Sequence, residues 1–158
     1  MAATLTATDV GHLRYATELA HRAAQHGNRP FGAIIVDRND KPLAEAENSV
    51  LTDADIAAHA EMNAIRFACR AGLQQQLAGA TIYASAEPCP MCTGAILRFG
   101  LRRVVYGSSW DTILPVLGDQ PPVVHVASKD IAAPQVRKCE RAPRAIHRRE
   151  SHDQQHRR

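Results

Sequence analysis

The stretch AHAEMNAIR, residues 58–66, sets a histidine and a glutamate two positions apart, and PCPMC, residues 88–92, puts two of the chain's four cysteines on a short proline-flanked segment. These residue types suit a divalent metal. A catalytic zinc takes three protein ligands and leaves a fourth position for water, and one histidine with two cysteines is a recognised ligand set. His59, Cys89 and Cys92 supply it. Two residues between the cysteines let both thiolates reach one ion from a single turn at the start of a helix, where the dipole and free N–H groups favour negative sulfur. The same reading puts His59 in the first turn of its own helix, so that two helix N-termini converge on the ion. Glu61 then points to roughly the other side of that helix, which suits it to hold the metal's water or the substrate rather than the metal. A carboxylate beside a water whose pKa has been lowered to about 7 is a proton shuttle, and the chemistry implied is metal-assisted hydrolysis.

Taken singly, each feature has an ordinary explanation. A histidine at such a place caps a helix or sits in a core, and a C-x-x-C can be half of a structural zinc ribbon or a redox dithiol. A ribbon needs a second C-x-x-C, which the sequence lacks, and Cys69 and Cys139 stand alone. A redox pair leaves His59 and Glu61 unexplained. A noncatalytic site in which zinc only staples two helices has no need of Glu61.

The elements that must position these residues alternate. TDVGHLRYATELAHRAAQHG has apolar residues at helical spacing, a cap at Thr8 or Asp9, and Gly27 to end it. PFGAIIVD, the turn RNDK and PLAEAENSVL read as a hairpin. DIAAHAEMNAIRFACRAG carries a small-residue stripe at Ala57, Ala60, Ala64 and Ala68 and terminates at Gly72, a tightly packed second helix. ATIYASAE is a strand, CPMCTGAILRFG a helix ending at Gly100, RRVVYG another strand, and VVHVA a candidate last strand. Strands alternating with helices around one sheet indicate an α/β sandwich.

At 158 residues the chain is the size of one ordinary domain. Its 45% hydrophobic content is that of a globular protein, and no apolar run approaches the ~20 residues of a membrane span. A soluble protein with no membrane partner is expected. MAATLTATDV has neither a basic nor an apolar leader region, so the expected location is the cytoplasm, with reduced thiols. The formal charge of +3 is modest, and Lys and Arg are concentrated in RKCERAPRAIHRRESHDQQHRR. That stretch has no aromatic residue for base stacking, so a solvated terminus is favoured over a nucleic-acid grip. Residues 1–128 are read as the catalytic domain and 129–158 as a basic C-terminal segment, partly disordered.

HAE followed by EPCPMCTGAI resembles the cytidine and deoxycytidylate deaminase superfamily, whose zinc members carry H-x-E and P-C-x-x-C. The resemblance runs from about Pro30 to Gly107. It implies a cytidine-deaminase-like three-layer α/β sandwich with a mixed five-stranded sheet between helices, a Zn²⁺ cofactor, and assembly as a dimer or tetramer, a homodimer being expected. It also implies that Glu61 protonates a ring nitrogen while activated water attacks the adjacent carbon, then helps expel ammonia.

Within the superfamily, PFGAIIVD, AHAEMNAIR and AEPCPMCTGAI are similar to the bacterial guanine deaminases, and RRVVYG fits that branch and its plant guanosine-deaminase relatives. That similarity implies deamination of a small base or nucleoside, guanine to xanthine favoured. It makes Asn48 a base-reading amide, gives the backbone N–H of Ala60 a ring carbonyl to bind, and has Phe31 flank the base or belong to the core. It assigns Asp119, with Asp111 as the other choice, to contact the purine, and allows Trp110 to cover the pocket or sit in the core. The branch's aromatic residue near the C-terminus has no counterpart in this chain. Two rivals stay open: the fungal-type cytosine deaminases, which share MCTGAI, and the bacterial tRNA adenosine deaminases, which share AHAE and EPC-x-MC. The latter usually carry a Lys-Thr-Gly-Ala-like segment where this chain has SSWDTILPVLGD.

Overall fold

The computed structural model describes residues 5–117, 127, 130–131 and 138–141. Helix α1 runs Ala7–Gln25, and its N-cap is Thr6 rather than Thr8 or Asp9. The Asp9 N–H donates to the Thr6 hydroxyl at 3.1 Å while the Thr6 N–H donates to the Asp9 carboxylate at 2.8 Å. This reciprocal box satisfies two backbone donors at once, which is why the helix starts two residues earlier than the apolar spacing alone suggests. Leu13, Ala16, Leu19, Ala20 and Ala23 form its buried stripe. Gly27, at φ 83°, takes the chain out of the helix in a conformation other residues resist.

Strand β1 (Gly32–Val36) pairs antiparallel with β2 (Pro42–Glu47). The turn between them is tied by the Asp37 carboxylate, which accepts from the N–H groups of Asn39 and Lys41. Helix α2 covers Ala60–Arg70, so the residues before it, which the apolar stripe had drawn into the helix, form a loop instead. Asp55 accepts from the Ala57 N–H and Ala54 sits at φ 50°, both incompatible with a continuing helix. A short α3 (Gln74–Leu77), β3 (Thr81–Ala86), α4 (Pro90–Arg98), β4 (Arg103–Ser108) and α5 (Trp110–Leu117) follow.

The sheet has the order β2-β1-β3-β4-β5, mixed as the resemblance implied: β1 is antiparallel to β2 and β3, while β3–β4 and β4–β5 are parallel. Its fifth strand, β5, is Lys138–Arg141, paired with β4 from Arg103↔Lys138 to Tyr106↔Arg141. VVHVA lies outside the described residues. The strand thus comes from within 129–158, the segment read from its composition as a tail.

Helices cover both faces of the sheet. Ile34, Val36, Tyr83 and Val105 meet Leu13 and Ala16 of α1, while Ala33, Ile35, Ile82 and Val104 meet Ala64, Ile65 and Ala68 of α2 and Ile96 of α4. Alternate side chains of β1 and β3 are therefore apolar on both sides, and the strands read as continuous hydrophobic runs. Gly32 is required by closeness: a Cβ there would lie 2.3 Å from the Ala16 carbonyl oxygen and 2.5 Å from the Leu19 Cβ.

Candidate active site

The cysteine turn is built by its prolines. β3 ends at Ala86, and Pro88 and Pro90 force the residues before them, Glu87 and Cys89, out of the helical region. Cys89, at φ -69° and ψ 168°, is accordingly the N-cap of α4, with Pro90 at the first helical position. Cys92 follows within the first turn and is fully buried. His59 is the N-cap of α2, at φ -67° and ψ 154°, one position before the first turn in which the spacing had set it. Because α2 packs beside α4, the two N-termini bring the three side chains together.

The His59 Nδ1 lies 3.6 Å from the Cys89 sulfur and 3.5 Å from the Cys92 sulfur, and the sulfurs are 3.5 Å apart. A tetrahedral ion with Zn–S near 2.3 Å and Zn–N near 2.0 Å requires edges of about 3.5 to 3.8 Å. The triangle therefore fits zinc in both donor type and size. His59, Cys89 and Cys92 also make the one metal-competent group of three or more His, Cys, Asp or Glu residues among the described residues. The neighbouring Cys92 thiol and His59 pull Cys89 down to about 4, and Cys92 is pushed up by its contact with Cys89 and by burial. Cys89, opposed by burial, in turn raises His59.

Glu61 faces the same space. The expectation that it points away from His59 assumes that both residues are helical; the extended His59 removes that assumption, and the Glu61 Oε2 lies 3.6 Å from the Cys92 sulfur. Only 8% of Glu61 is exposed, and burial pushes its carboxyl pKa up.

These groups open on a cavity of about 560 Å³, inside the ~300–1,000 Å³ range of small-molecule sites. It lies at the carboxyl ends of the parallel strands β3 and β4, where open α/β sheets bind ligands. Asn48 lines it and is 2% exposed. Its Oδ1 accepts from the Val50 N–H at 3.2 Å, while its amide nitrogen has no partner among the described residues. Ala60, fully buried at the first position of α2, likewise has a backbone N–H without an acceptor among the described residues, and it lies between the lining residues His59 and Glu61. Phe31 lines the cavity and packs against the core. Trp110 lines the wall, half-buried. Asp111 is exposed and away from the lining, and Asp119 falls outside the described residues.

Among the lining residues not foreseen from the sequence are Leu51 and Ile56 of the loop before α2, Glu87 and Met91 beside the cysteines, and Leu114 and Leu117 of α5. Trp110, Leu114 and Leu117 stand at i, i+4 and i+7, a helical signal that Pro115 inside the helix obscured.

The family model of the cytidine and deoxycytidylate deaminase zinc-binding region matches residues 6–108, and the chain belongs to that family. With its zinc-type ligand set it is a zinc-dependent deaminase. The "Probable cytosine deaminase" of Schizosaccharomyces pombe is 37% identical over 130 residues, which cover 80% of this chain and 78% of that protein. A tRNA-specific adenosine deaminase of Haemophilus influenzae is 39% identical over 97 residues, 61% of this chain and 56% of that one. The guanine deaminase of Bacillus subtilis is 42% identical over 97 residues, 61% of this chain and 62% of that one. The chain thus spans less than two thirds of the length of the last two. The X-ray structure of the B. subtilis guanine deaminase superposes with a TM-score of 0.61 at 31% identity, covering 78% of this chain and 88% of that one.

Proposed function

We propose that the protein hydrolyses the amino group of a free nucleobase or nucleoside, guanine first, so that guanine and water give xanthine and ammonia. The observation that carries this reading is the convergence of the His59, Cys89 and Cys92 triangle, the buried Glu61 and the half-satisfied Asn48 amide on one cavity. PFGA, AHAE and EPCPMC support the guanine branch, as does the identity to the B. subtilis guanine deaminase.

Zinc held by His59, Cys89 and Cys92 supplies Lewis-acid activation of water at neutral pH. Glu61 accepts a proton as that water attacks, passes it to the ring nitrogen beside the reacting carbon, and delivers the second proton to the departing amine. Burial raises the Glu61 carboxyl, and a group that both accepts and returns a proton works best when its pKa is moved towards the working pH. Asn48 and the Ala60 N–H offer donors to acceptors on the base edge, and Phe31 and Trp110 offer apolar faces to its ring. Of the two acids assigned to the purine from the resemblance, Asp119 keeps that role in this reading.

A pyrimidine base is the second reading, because the S. pombe relative matches 80% of this chain. In either case the unit is taken to be a homodimer, in keeping with the exposed apolar residues Leu51, Ile56 and Met91 at the cavity. The thiolate ligands suit a reducing compartment such as the cytoplasm. The test is ammonia release by zinc-replete protein from guanine, guanosine, cytosine, cytidine, adenine, adenosine and a tRNA anticodon stem-loop. Turnover of guanine or guanosine alone is expected; turnover of cytosine alone transfers the assignment to the pyrimidine, and turnover of the stem-loop alone discards the small-molecule reading.

A further inference from the structure

Glu87 is a buried acid, 6% exposed, in the wall of the cavity and two residues before Cys89. Its backbone N–H donates to the Ser108 carbonyl at 2.8 Å, carrying the β3–β4 ladder one residue beyond Ala86↔Ser108. Its side chain then turns towards α5. The Glu87 Oε2 accepts from the N–H of Trp110 at 3.3 Å, and Trp110 is the first residue of that helix. The opening N–H groups of a helix have no partner within it and carry its positive end, so a carboxylate there both satisfies a donor and opposes the dipole.

Glu87 shares this end of the helix with Ser109, whose carbonyl accepts from the N–H groups of Thr112 and Ile113 and whose hydroxyl lies 3.1 Å from that of Thr112. α5 is eight residues long, contains Pro115 in its interior and buries none of its side chains completely. An internal proline removes one helical hydrogen bond and crowds the carbonyl four residues back. Yet Trp110, Leu114 and Leu117 of this helix form one wall of the cavity.

We propose that Glu87 is a positioning residue for the substrate: by holding the N-terminus of α5 to the end of β3, it keeps the Trp110–Leu114–Leu117 wall at a fixed distance from the cysteine turn. This rests on the deaminase-site reading above and adds to it a residue that acts on substrate binding through α5 and not on the proton transfers. Positional looseness in such a wall weakens binding while leaving the reacting groups in place.

Trp110 is the chain's single tryptophan, so its fluorescence reads α5 without any substrate. In zinc-replete Glu87→Ala, Trp110 emission should shift to longer wavelength and acrylamide should quench it more strongly than in the wild type. The KM for guanine should rise about ten-fold with kcat altered by less than about two-fold, and the zinc content should stay the same. Glu87→Gln, which keeps an acceptor oxygen, should restore most of both readouts. Wild-type quenching in Glu87→Ala overturns the proposal, as does loss of zinc or a fall in kcat at unchanged KM, because either places Glu87 with the metal turn. If Glu87→Ala does not fold, Glu87→Asp decides: its carboxylate is one methylene too short, and wild-type quenching in that variant also overturns the proposal. Glu61→Ala is the control that separates the two readings, since it should lose turnover and keep wild-type quenching. Should the wild type not turn over guanine, the substrate assignment fails while the quenching series still decides the role of Glu87.

Discussion

Cys92 and Glu61 stand 3.6 Å apart and have opposite tasks in the proposed chemistry, one to hold the metal and the other to move protons. Glu61→Ala should therefore retain about one zinc per chain, measured by elemental analysis, and lose at least ~100-fold in turnover, the lower end of what general acid–base catalysis contributes. Substantial activity in that variant would remove Glu61 from the mechanism. Cys92→Ser should behave in the reverse order, losing the metal first and the activity with it. Both residue types and their spacing were readable in HAE and PCPMC. Their relative orientation was not, because it depends on His59 being extended at the N-cap while Glu61 is helical.

At the scale of elements, the loop between β2 and α2 carries Asn48, Leu51 and Ile56 to the cavity, and it is held by two buried asparagines. The Asn28 side-chain Oδ1 accepts from the N–H groups of Leu51 and Thr52 at 2.9 and 3.2 Å. The Asn63 amide nitrogen donates to the Glu47 and Ala58 carbonyls and to the Ser49 hydroxyl. Asn63→Ala removes these three bonds, although the Ala58 carbonyl keeps the Ser49 N–H, and chemical denaturation should show a loss of about 2 kcal/mol together with a raised KM. Stability unchanged within error would show that the loop is held by other means.

A second clamp joins α1 to the sheet. Arg103 of β4 forks onto both Asp9 oxygens at 2.5 and 3.0 Å, and the Tyr83 hydroxyl of β3 donates to Asp9 at 2.6 Å. Burial by itself would raise the Asp9 carboxyl; the hydrogen bonds from Arg103, Tyr83 and Thr6 outweigh it and hold the group well below the carboxylate range. A folded pKa below the unfolded value of about 3.9 gives stabilisation that is complete above that pH and is lost as the pH falls through the folded value. The stability gap between wild type and Asp9→Asn should accordingly be constant from neutral pH down to about 5 and shrink below about 4. A gap that is flat through acid pH would mean that the charge of Asp9 contributes nothing. Asp9 was legible only as a helix-start residue, since its partners lie 74 and 94 positions away.

For the whole molecule, the two apolar clusters on either face of the sheet include none of His59, Cys89 and Cys92. Removing zinc with a chelator should thus abolish turnover and lower Tm while leaving the far-ultraviolet circular dichroism close to that of the native protein, and added Zn²⁺ should restore activity. Collapse of the secondary structure would make the metal part of the fold. β5 dictates where the basic end can be cut. Truncation after Arg141 keeps the strand and should leave base turnover unchanged, whereas truncation after Ser128 uncovers the β4 edge and should lower Tm. Loss of base turnover on cutting after Arg141 would bring residues 142–158 into the active-site account.

What the sequence determined by itself was local: helical and strand periodicity, the glycine stops at Gly27 and Gly72, the ligand types at His59, Cys89 and Cys92, and the acid at Glu61. These follow from contacts within a few residues or from the donor chemistry of single side chains. The tertiary structure alone decided which face each residue shares with distant ones. It placed β5 beside β4, turned the apolar segment 110–117 into a cavity wall, left the Asn48 amide nitrogen without a partner among the described residues, and set Glu87 against the N-terminus of that wall. Each of these pairs residues from separate elements, and a spacing rule cannot fix such a contact because it exists only once the sheet has brought those elements side by side.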